Sequence, residues 1–212
     1  MKKRKSKLFA ALLLLAAFIL WTAALRHVDV RVIGPKGSSV GFAAMNLFFR
    51  QRIGVHMTLY TLTDWLGLIP LCFALGFALL GLTQLIRRRS LLRVDRSILI
   101  LGGFYLLVIA VYVFFENTVI NYRPVLIGGQ LESSYPSSTT MLALCILPTA
   151  MMQLNVRIRS RFLRILILVG LAAFTGFMVI GRWLSGVHWT TDILGGILFS
   201  AGAVMLYHAV SA

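Results

Sequence analysis

Charged residues are scarce in this chain of 212 residues, and acidic ones are the rarest. Six Asp and Glu residues stand against 21 Lys and Arg, and charged residues make up 13% of the sequence. Hydrophobic residues make up 59%, which is more than an ordinary soluble domain contains. Only two cysteines are present, Cys72 and Cys145, both within apolar runs. They are predicted to be small buried side chains, and they indicate neither a disulfide nor a metal site.

Apolar residues fall in six runs with almost no charge, each long enough to cross a membrane as a helix. We therefore predict an all-α polytopic membrane protein, a bundle of six transmembrane helices that forms one integral membrane domain over residues 1–212. The first run is interpreted as an uncleaved helix. The alternative is a signal peptide with a weak cleavage site at residues 22–24. The runs are 8–25, 61–86, 98–115, 137–154, 162–180 and 190–210.

The longest stretch outside these runs is residues 26–60, predicted to be an extracytoplasmic loop. Residues 28–33 alternate between apolar and polar, and a turn signal follows at Gly34-Pro35-Lys36-Gly37. Residues 38–53 read as an amphipathic helix. It could lie in the plane of the membrane interface, or the segment could fold as a loop over the bundle.

Basic residues predict how the chain is oriented. With the N-terminus inside, the inward segments hold 14 of the 21 Lys and Arg. This bias predicts that both termini are cytoplasmic, in what we interpret as a bacterial plasma membrane. Because the positive charge is clustered between apolar runs, we attribute it to membrane orientation and predict no nucleic-acid partner.

A short polar stretch between the last two runs carries the strongest chemical signal. It contains Arg182, His188 and Asp192. If a helix begins at Trp189, His188 and Asp192 lie one turn apart on one face. A carboxylate could then hold one imidazole nitrogen and leave the other free to attack an electrophile. Arg182 adds a planar cation suited to phosphate.

Two further polar stretches face the same side in this topology. One is Arg123-Pro124, and the other is the run 135–140, in which Pro136 to Thr139 open the fourth apolar helix. Ser and Thr at a helix N-terminus favour an anion site, because amides and the positive end of the helix dipole meet there. We predict that a phosphate binds between Arg123 and Arg182 and that His188 attacks it, giving a phosphohistidine. The cations and amides supply the positive charge, so no metal or cofactor is predicted.

These residues resemble the motifs of the type 2 phosphatidic acid phosphatase superfamily. Its first motif is a Lys followed, after six residues, by Arg-Pro. The second is Pro-Ser-Gly-His. The third is Ser-Arg followed, after five residues, by His and, after three more, by Asp. The third matches from Arg182 through His188 to Asp192, with Gly181 in place of Ser, and the first retains Arg123-Pro124. The resemblance covers residues 97–210. It implies six spans, a lipid phosphatase activity in outward loops, and catalytic roles for His188, Asp192, Arg182 and Arg123.

Three positions depart from that pattern. Glu116 stands where the family has Lys, Ser138 replaces Gly, and Thr139 replaces the His that protonates the leaving group. General acid help is worth about 10²–10⁴-fold, so its loss matters. Glu116, Glu132 or His56 could supply the proton instead. Ser137, Ser138, Thr139 and Glu116 are the predicted substrate-binding residues.

Two functions remain open on the sequence. The first is a phosphatase acting on a lipid phosphate or pyrophosphate, such as phosphatidic acid, phosphatidylglycerophosphate or the carrier undecaprenyl pyrophosphate. A pyrophosphate is preferred, because its leaving group is already stable as an anion. The second is a catalytically impaired relative that binds or transports a phosphorylated lipid. In both, the partners are membrane lipids, and the sequence indicates no oligomeric state.

Overall fold

The structure is a computed structural model that describes residues 2–211, with side chains from Arg4 onward. Met1 and Ala212, the two ends of the predicted domain, lie outside the described residues. Helices dominate the described chain. They are α1 (Lys2–Ala24), α2 (Ala43–Ile53), α3 (Met57–Leu66), α4 (Leu68–Arg88), α5 (Arg96–Asn117), α6 (Ser138–Arg157), α7 (Arg161–Leu184) and α8 (Thr190–Ser211). Strands β1 (Arg31–Val32) and β2 (Ser39–Val40) form a small antiparallel hairpin.

Within residues 2–211, six helical segments are long and apolar enough to cross a membrane, which confirms the predicted fold class. The protein is an integral membrane protein. The second segment, Met57–Arg88, comprises α3 and α4. Its 32 residues would extend about 48 Å as a helix, well beyond a hydrocarbon core of about 30 Å. The segment therefore has enough length for part of α3 to lie beyond the hydrocarbon.

The break between α3 and α4 at Gly67 follows from Pro70 three residues later. Proline has no N–H to bond the carbonyl four residues earlier, and its ring crowds that carbonyl. The helix is therefore interrupted just before Pro70. The sequence alone predicted one continuous run there, and the structure divides it into a short α3 and a long α4.

Helices α6 and α8 form the centre of the bundle, because half of each span is buried while the other spans are mostly exposed along their outer faces. Helix α8 packs along α1 and comes close to it at Gly202, where an added Cβ would collide with Leu15. An aromatic cluster fills the core between these helices, with Phe18 in contact with Phe115, Tyr135 and Phe199. Outward-facing residues such as Leu106 and Phe162 are exposed, as lipid-facing side chains should be.

The predicted helix over residues 38–53 is wrong in its first five residues. Ser39 and Val40 pair with β1, and Phe42 has a left-handed backbone with φ 48°, so α2 begins only at Ala43. Helix α2 then packs on the start of α8 through the buried amide of Asn46, which contacts Thr191. Arg50 donates to the carbonyl of Pro124 at 2.7 Å. The segment thus packs against one end of the bundle, with its helix limited to Ala43–Ile53.

The two ends of the bundle differ in character. The C-termini of α5 and α7 and the N-termini of α6 and α8 meet at one end, together with the loops that carry the polar motifs. The arginine clusters at residues 87–96 and 157–164 lie in the connections at the other end. Which end faces the cytoplasm remains a prediction from charge.

Candidate active site

The side chains of His188 and Asp192 lie together and buried, but they do not contact each other directly. Asp192 Oδ2 is 4.0 Å from His188 Nδ1, beyond hydrogen-bond distance. The hydroxyl of Ser134 lies between them. It is 2.6 Å from Asp192 Oδ2, to which it donates, and 3.0 Å from His188 Nδ1. The direct carboxylate–imidazole bond predicted from the four-residue spacing is therefore corrected to a bridge through Ser134.

This bridge assigns the protonation of the imidazole. Because the Ser134 hydroxyl gives its proton to Asp192, it accepts from His188 Nδ1. The backbone carbonyl of Ser134 is a second acceptor, 3.1 Å from the same nitrogen. Both contacts place the proton on Nδ1. Nε2 then carries the free electron pair, which is the state that a nucleophile needs.

Asp192 is completely buried, and its carboxylate is held by three donors. Besides Ser134, Asn121 donates from its side chain at 3.1 Å and the backbone N–H of Trp189 donates at 2.9 Å. The last contact is half of a capping box, in which the third helical residue reaches back to the N-cap amide of α8. The aspartate therefore caps a helix and orients the histidine at once.

Arg123 and Arg182 lie on the other side of the imidazole, and both are buried. Arg123 Nη1 is 3.4 Å from His188 Nε2. Arg182 comes from the last turn of α7 and contacts α3, where Nη1 is 3.5 Å from the carbonyl of Tyr60. The two guanidinium groups share one aromatic neighbour, since their central carbons lie 5.8 Å and 4.6 Å from the centre of the Tyr60 ring.

Each arginine has an acidic neighbour and still keeps an unused donor. Glu132 lies 3.1 Å from Arg123 Nε, and Asp64 lies 3.4 Å from Arg182 Nη1. The Nε atoms of both arginines are buried without a hydrogen-bond partner, because the Glu132 contact lacks hydrogen-bond geometry. Buried donors without partners are costly. An anion that reaches Arg182 Nε would give that buried donor a partner.

The predicted substrate-binding residues divide into two groups. Ser137 is fully buried, and its hydroxyl is directed to Thr140 at 3.0 Å, so it does not cap α6. Ser138 and Glu116 line a narrow crevice that reaches His188 and Ser134. Thr139 lies on the first turn of α6, beside Gly67 at the break between α3 and α4. Substrate contact by these residues stays a prediction.

Sequence reasoning missed Ser134, Asn121 and Tyr60. Asn121 and Ser134 flank the predicted arginine and serine motifs, and the loop brings them together through the bond from Ser134 N to the Asn121 carbonyl. Tyr60 comes from α3, far away in sequence. Of the alternative proton donors, Glu132 is occupied with Arg123, and the His56 ring lies against the Ile53 carbonyl.

The surroundings of His188 favour its neutral form. Burial, reinforced by the positive charges of Arg123 and then Arg182, lowers the pKa of His188 well below its ordinary value. Lowering the pKa keeps the ring neutral to more acidic pH. We expect His188 to remain unprotonated at pH 6 in NMR spectra of the ¹⁵N-histidine-labelled protein. Arg123→Gln should raise the pKa, because it removes a repelling cation, and a protonated ring at pH 6 in the unaltered protein would contradict this account.

Comparison with known proteins supports the fold. No protein-family model matches the chain, and no curated protein matches it. The crystal structure of a transmembrane PAP2-type phosphatidylglycerolphosphate phosphatase from Bacillus subtilis is similar over 94% of both chains, with 21% sequence identity and a TM-score of 0.56. The chain therefore has the fold of a membrane phosphatase of this type, PAP2 being the type 2 phosphatidic acid phosphatase.

Proposed function

We propose that this protein is a lipid phosphatase that acts through a phosphohistidine. The observation that carries the proposal is the grouping of His188 Nε2 with two buried arginines that keep spare donors. A cationic, water-poor pocket next to a neutral imidazole stabilises a transferring phosphoryl group. A protein that only binds or carries a lipid would not need a nucleophile oriented in this way, so we favour hydrolysis.

The reaction has two steps. Nε2 of His188 forms a bond to phosphorus while the bond from phosphorus to the lipid oxygen breaks, and that oxygen takes a proton if it leaves as an alcohol. Water then attacks the phosphohistidine, the N–P bond breaks, and inorganic phosphate is released. Arg123 and Arg182 neutralise the phosphoryl oxygens throughout. Asp192, acting through Ser134, stabilises the positive charge that develops on the imidazole.

A lipid substrate fits the surroundings of the pocket. An open and mostly apolar groove along α3, at the same end of the bundle, is lined by Leu59, Leu62 and Leu184, with Arg52 and His56 at its edge. Such a groove can hold the apolar part of a substrate whose phosphate lies at the arginines. The neighbour with the same fold acts on phosphatidylglycerolphosphate. By the charge bias of the connections, we place the site at the outer membrane face.

Within that class we prefer a polyprenyl pyrophosphate such as undecaprenyl pyrophosphate. Thr139 is a poor proton donor at neutral pH, and a pyrophosphate releases a phosphate monoester that needs little protonation. Phosphatidic acid and phosphatidylglycerophosphate release an alkoxide and depend more on an acid.

The decisive experiment measures phosphate release by the purified protein in detergent from these three lipids. We expect release from at least one, fastest from the pyrophosphate, and inhibition by vanadate, which mimics phosphate. Binding of vanadate without release from any of the three would reject the hydrolase and support the lipid-binding alternative.

The missing acid gives a gain-of-function prediction. Thr139→His should accelerate hydrolysis of phosphatidic acid by about tenfold or more, because general acid help is typically worth about 10²–10⁴-fold. The pyrophosphate should gain much less. Ser138→His places the same ring in the crevice that reaches His188, so it shows whether an imidazole must stand at position 139 in particular. Equal effects of the two variants on both substrates would count against Thr139 as the position of the lost acid.

A further inference from the structure

A second apolar groove lies at the opposite end of the bundle, between α4 and α5, and we call it the α4–α5 groove. Its walls include Leu75, Ala78 and Leu82 from α4 and Leu99, Gly102 and Leu106 from α5. Buried Phe77, Ile98 and Leu101 are also part of its lining. The helices come close where Gly81 meets Ile98, since an added Cβ there would be 3.0 Å from the Ile98 side chain.

The groove has the length of one membrane leaflet. Its α4 wall runs from Ala74 to Leu85, about 17 Å at the helical rise per residue. Half of a hydrocarbon core is about 15 Å. The groove also has unfilled space on its α5 side, because an added Cβ at Gly102 or Gly103 would meet no atom within 4 Å.

Arginines are close in sequence to the groove residues Leu85, Leu91 and Val94, at the end of the groove next to the connection between α4 and α5. The connection contains Arg87, Arg88, Arg89, Arg93 and Arg96 and a single acid, Asp95. Asp95 is engaged with Arg88 at 2.9 Å and with Gln84 at 2.8 Å. The other four arginines are exposed, and none of them forms an ion pair within residues 2–211.

The same connection also carries apolar side chains at the level of the arginines. Leu91 lines the groove, and Leu92 beside it is 95% exposed. Apolar side chains next to exposed arginines are typical of segments that lie at the boundary between headgroups and acyl chains. The connection thus places its arginines where a lipid headgroup would lie, next to the α4–α5 groove that would hold an acyl chain.

We infer that the α4–α5 groove is a binding site for an anionic phospholipid. One acyl chain lies along the groove, and the phosphate is bound by the arginines of the connection. Charge complementarity selects the headgroup, and the groove selects a ligand with a chain rather than free phosphate. This site is separate from the proposed active site and does not depend on catalysis.

The chain offers a matched control for the charges. Arg159 lies between α6 and α7, and Arg161 and Arg164 lie in the first turn of α7, at the same end of the bundle but outside the connection between α4 and α5. Removing three arginines from either region changes the net charge equally. Only one of the two changes removes cations at the groove.

The test is native mass spectrometry of the detergent-purified protein with equal amounts of phosphatidylglycerol and phosphatidylcholine. We expect preferential retention of phosphatidylglycerol, reduced at least tenfold by the triple variant Arg87→Gln, Arg89→Gln and Arg93→Gln, since each arginine near a membrane surface contributes about fivefold to anionic lipid binding. The triple variant Arg159→Gln, Arg161→Gln and Arg164→Gln should retain the lipid. Equal losses in the two variants would overturn the site in favour of general surface charge.

A second pair of variants tests the groove with all charges intact. Gly102→Leu with Gly103→Leu should fill the groove and displace phosphatidylglycerol. Gly170→Leu with Gly176→Leu on α7, where added side chains also meet open space, should not. Unchanged phosphatidylglycerol binding by the Gly102→Leu, Gly103→Leu variant would also overturn the proposal. So would displacement of bound phosphatidylglycerol by inorganic phosphate as effectively as by added phosphatidylglycerol. Size-exclusion profiles of each variant report whether it folds.

Discussion

His188→Gln is expected to lower phosphate release by about 10⁵–10⁶-fold, the largest effect of any single substitution, since losing a nucleophile removes the whole covalent route. Glutamine has similar volume and can still accept from Arg123, so the arginines should keep their places. Vanadate or phosphate binding should therefore survive while turnover is lost. The measurement is single-turnover phosphate release, together with mapping of acid-labile phosphate on the protein.

His208 provides the matched control for this substitution. It lies near the end of α8 at the opposite end of the bundle, where its Nε2 is 3.2 Å from Lys7 Nζ. His208→Gln should leave the rate within about twofold of the unaltered protein, because it touches nothing at the site. A His188→Gln protein that releases phosphate at the normal rate would refute the phosphohistidine mechanism.

Asp192→Asn is expected to have the second-largest effect, about 10³–10⁴-fold on kcat with little change in KM, by analogy with the orienting aspartate of serine proteases. Three donors surround the Asp192 carboxylate, and the NH₂ group of the asparagine amide would face one of them. That donor is Asn121, which bonds Oδ1, and the neutral amide would no longer stabilise the positive charge that develops on His188.

Ser134 allows the bridge to be tested separately from the aspartate. Ser134→Ala should lower kcat by about tenfold to a hundredfold through misorientation of the imidazole. Ser134→Thr keeps the hydroxyl and should restore most of the rate. NMR of labelled His188 gives a readout that needs no turnover, since Ser134→Ala should mix the two neutral tautomers. Wild-type rate and a single tautomer in Ser134→Ala would show that the bridge has no function.

The parts of the structure that follow from local pattern were predictable. Long apolar runs fix the six spans, and the spacing of His188 and Asp192 follows from one helical turn. Arg123 and Arg182 could be placed at the same end of the bundle because the connection after the third span and the end of the fifth span fall on one side of the membrane in this topology. The prediction of residues 38–42 as helix failed because pairing with β1 outweighed the amphipathic pattern.

What could not be predicted depends on how distant segments pack. The distance of 4.0 Å between His188 and Asp192 depends on how the connection from α5 to α6 folds, and only that fold inserts Ser134. Tyr60 and Asp64 reach Arg182 from the short α3, and although Pro70 indicates an interruption of the second span, it does not show which side chains would meet Arg182. Bridging groups of this kind have no signature in a single sequence.

The acidic neighbours of the two arginines have a consequence for turnover. Because Glu132 and Asp64 already face Arg123 and Arg182, an incoming phosphate exchanges one negative neighbour for another rather than entering an unopposed positive pocket. Charge alone then binds a free ion such as phosphate or vanadate less tightly than a substrate whose hydrocarbon is also bound. A substrate anchored by its hydrocarbon stays, and the inorganic product, which has no such anchor, leaves the site without trapping it.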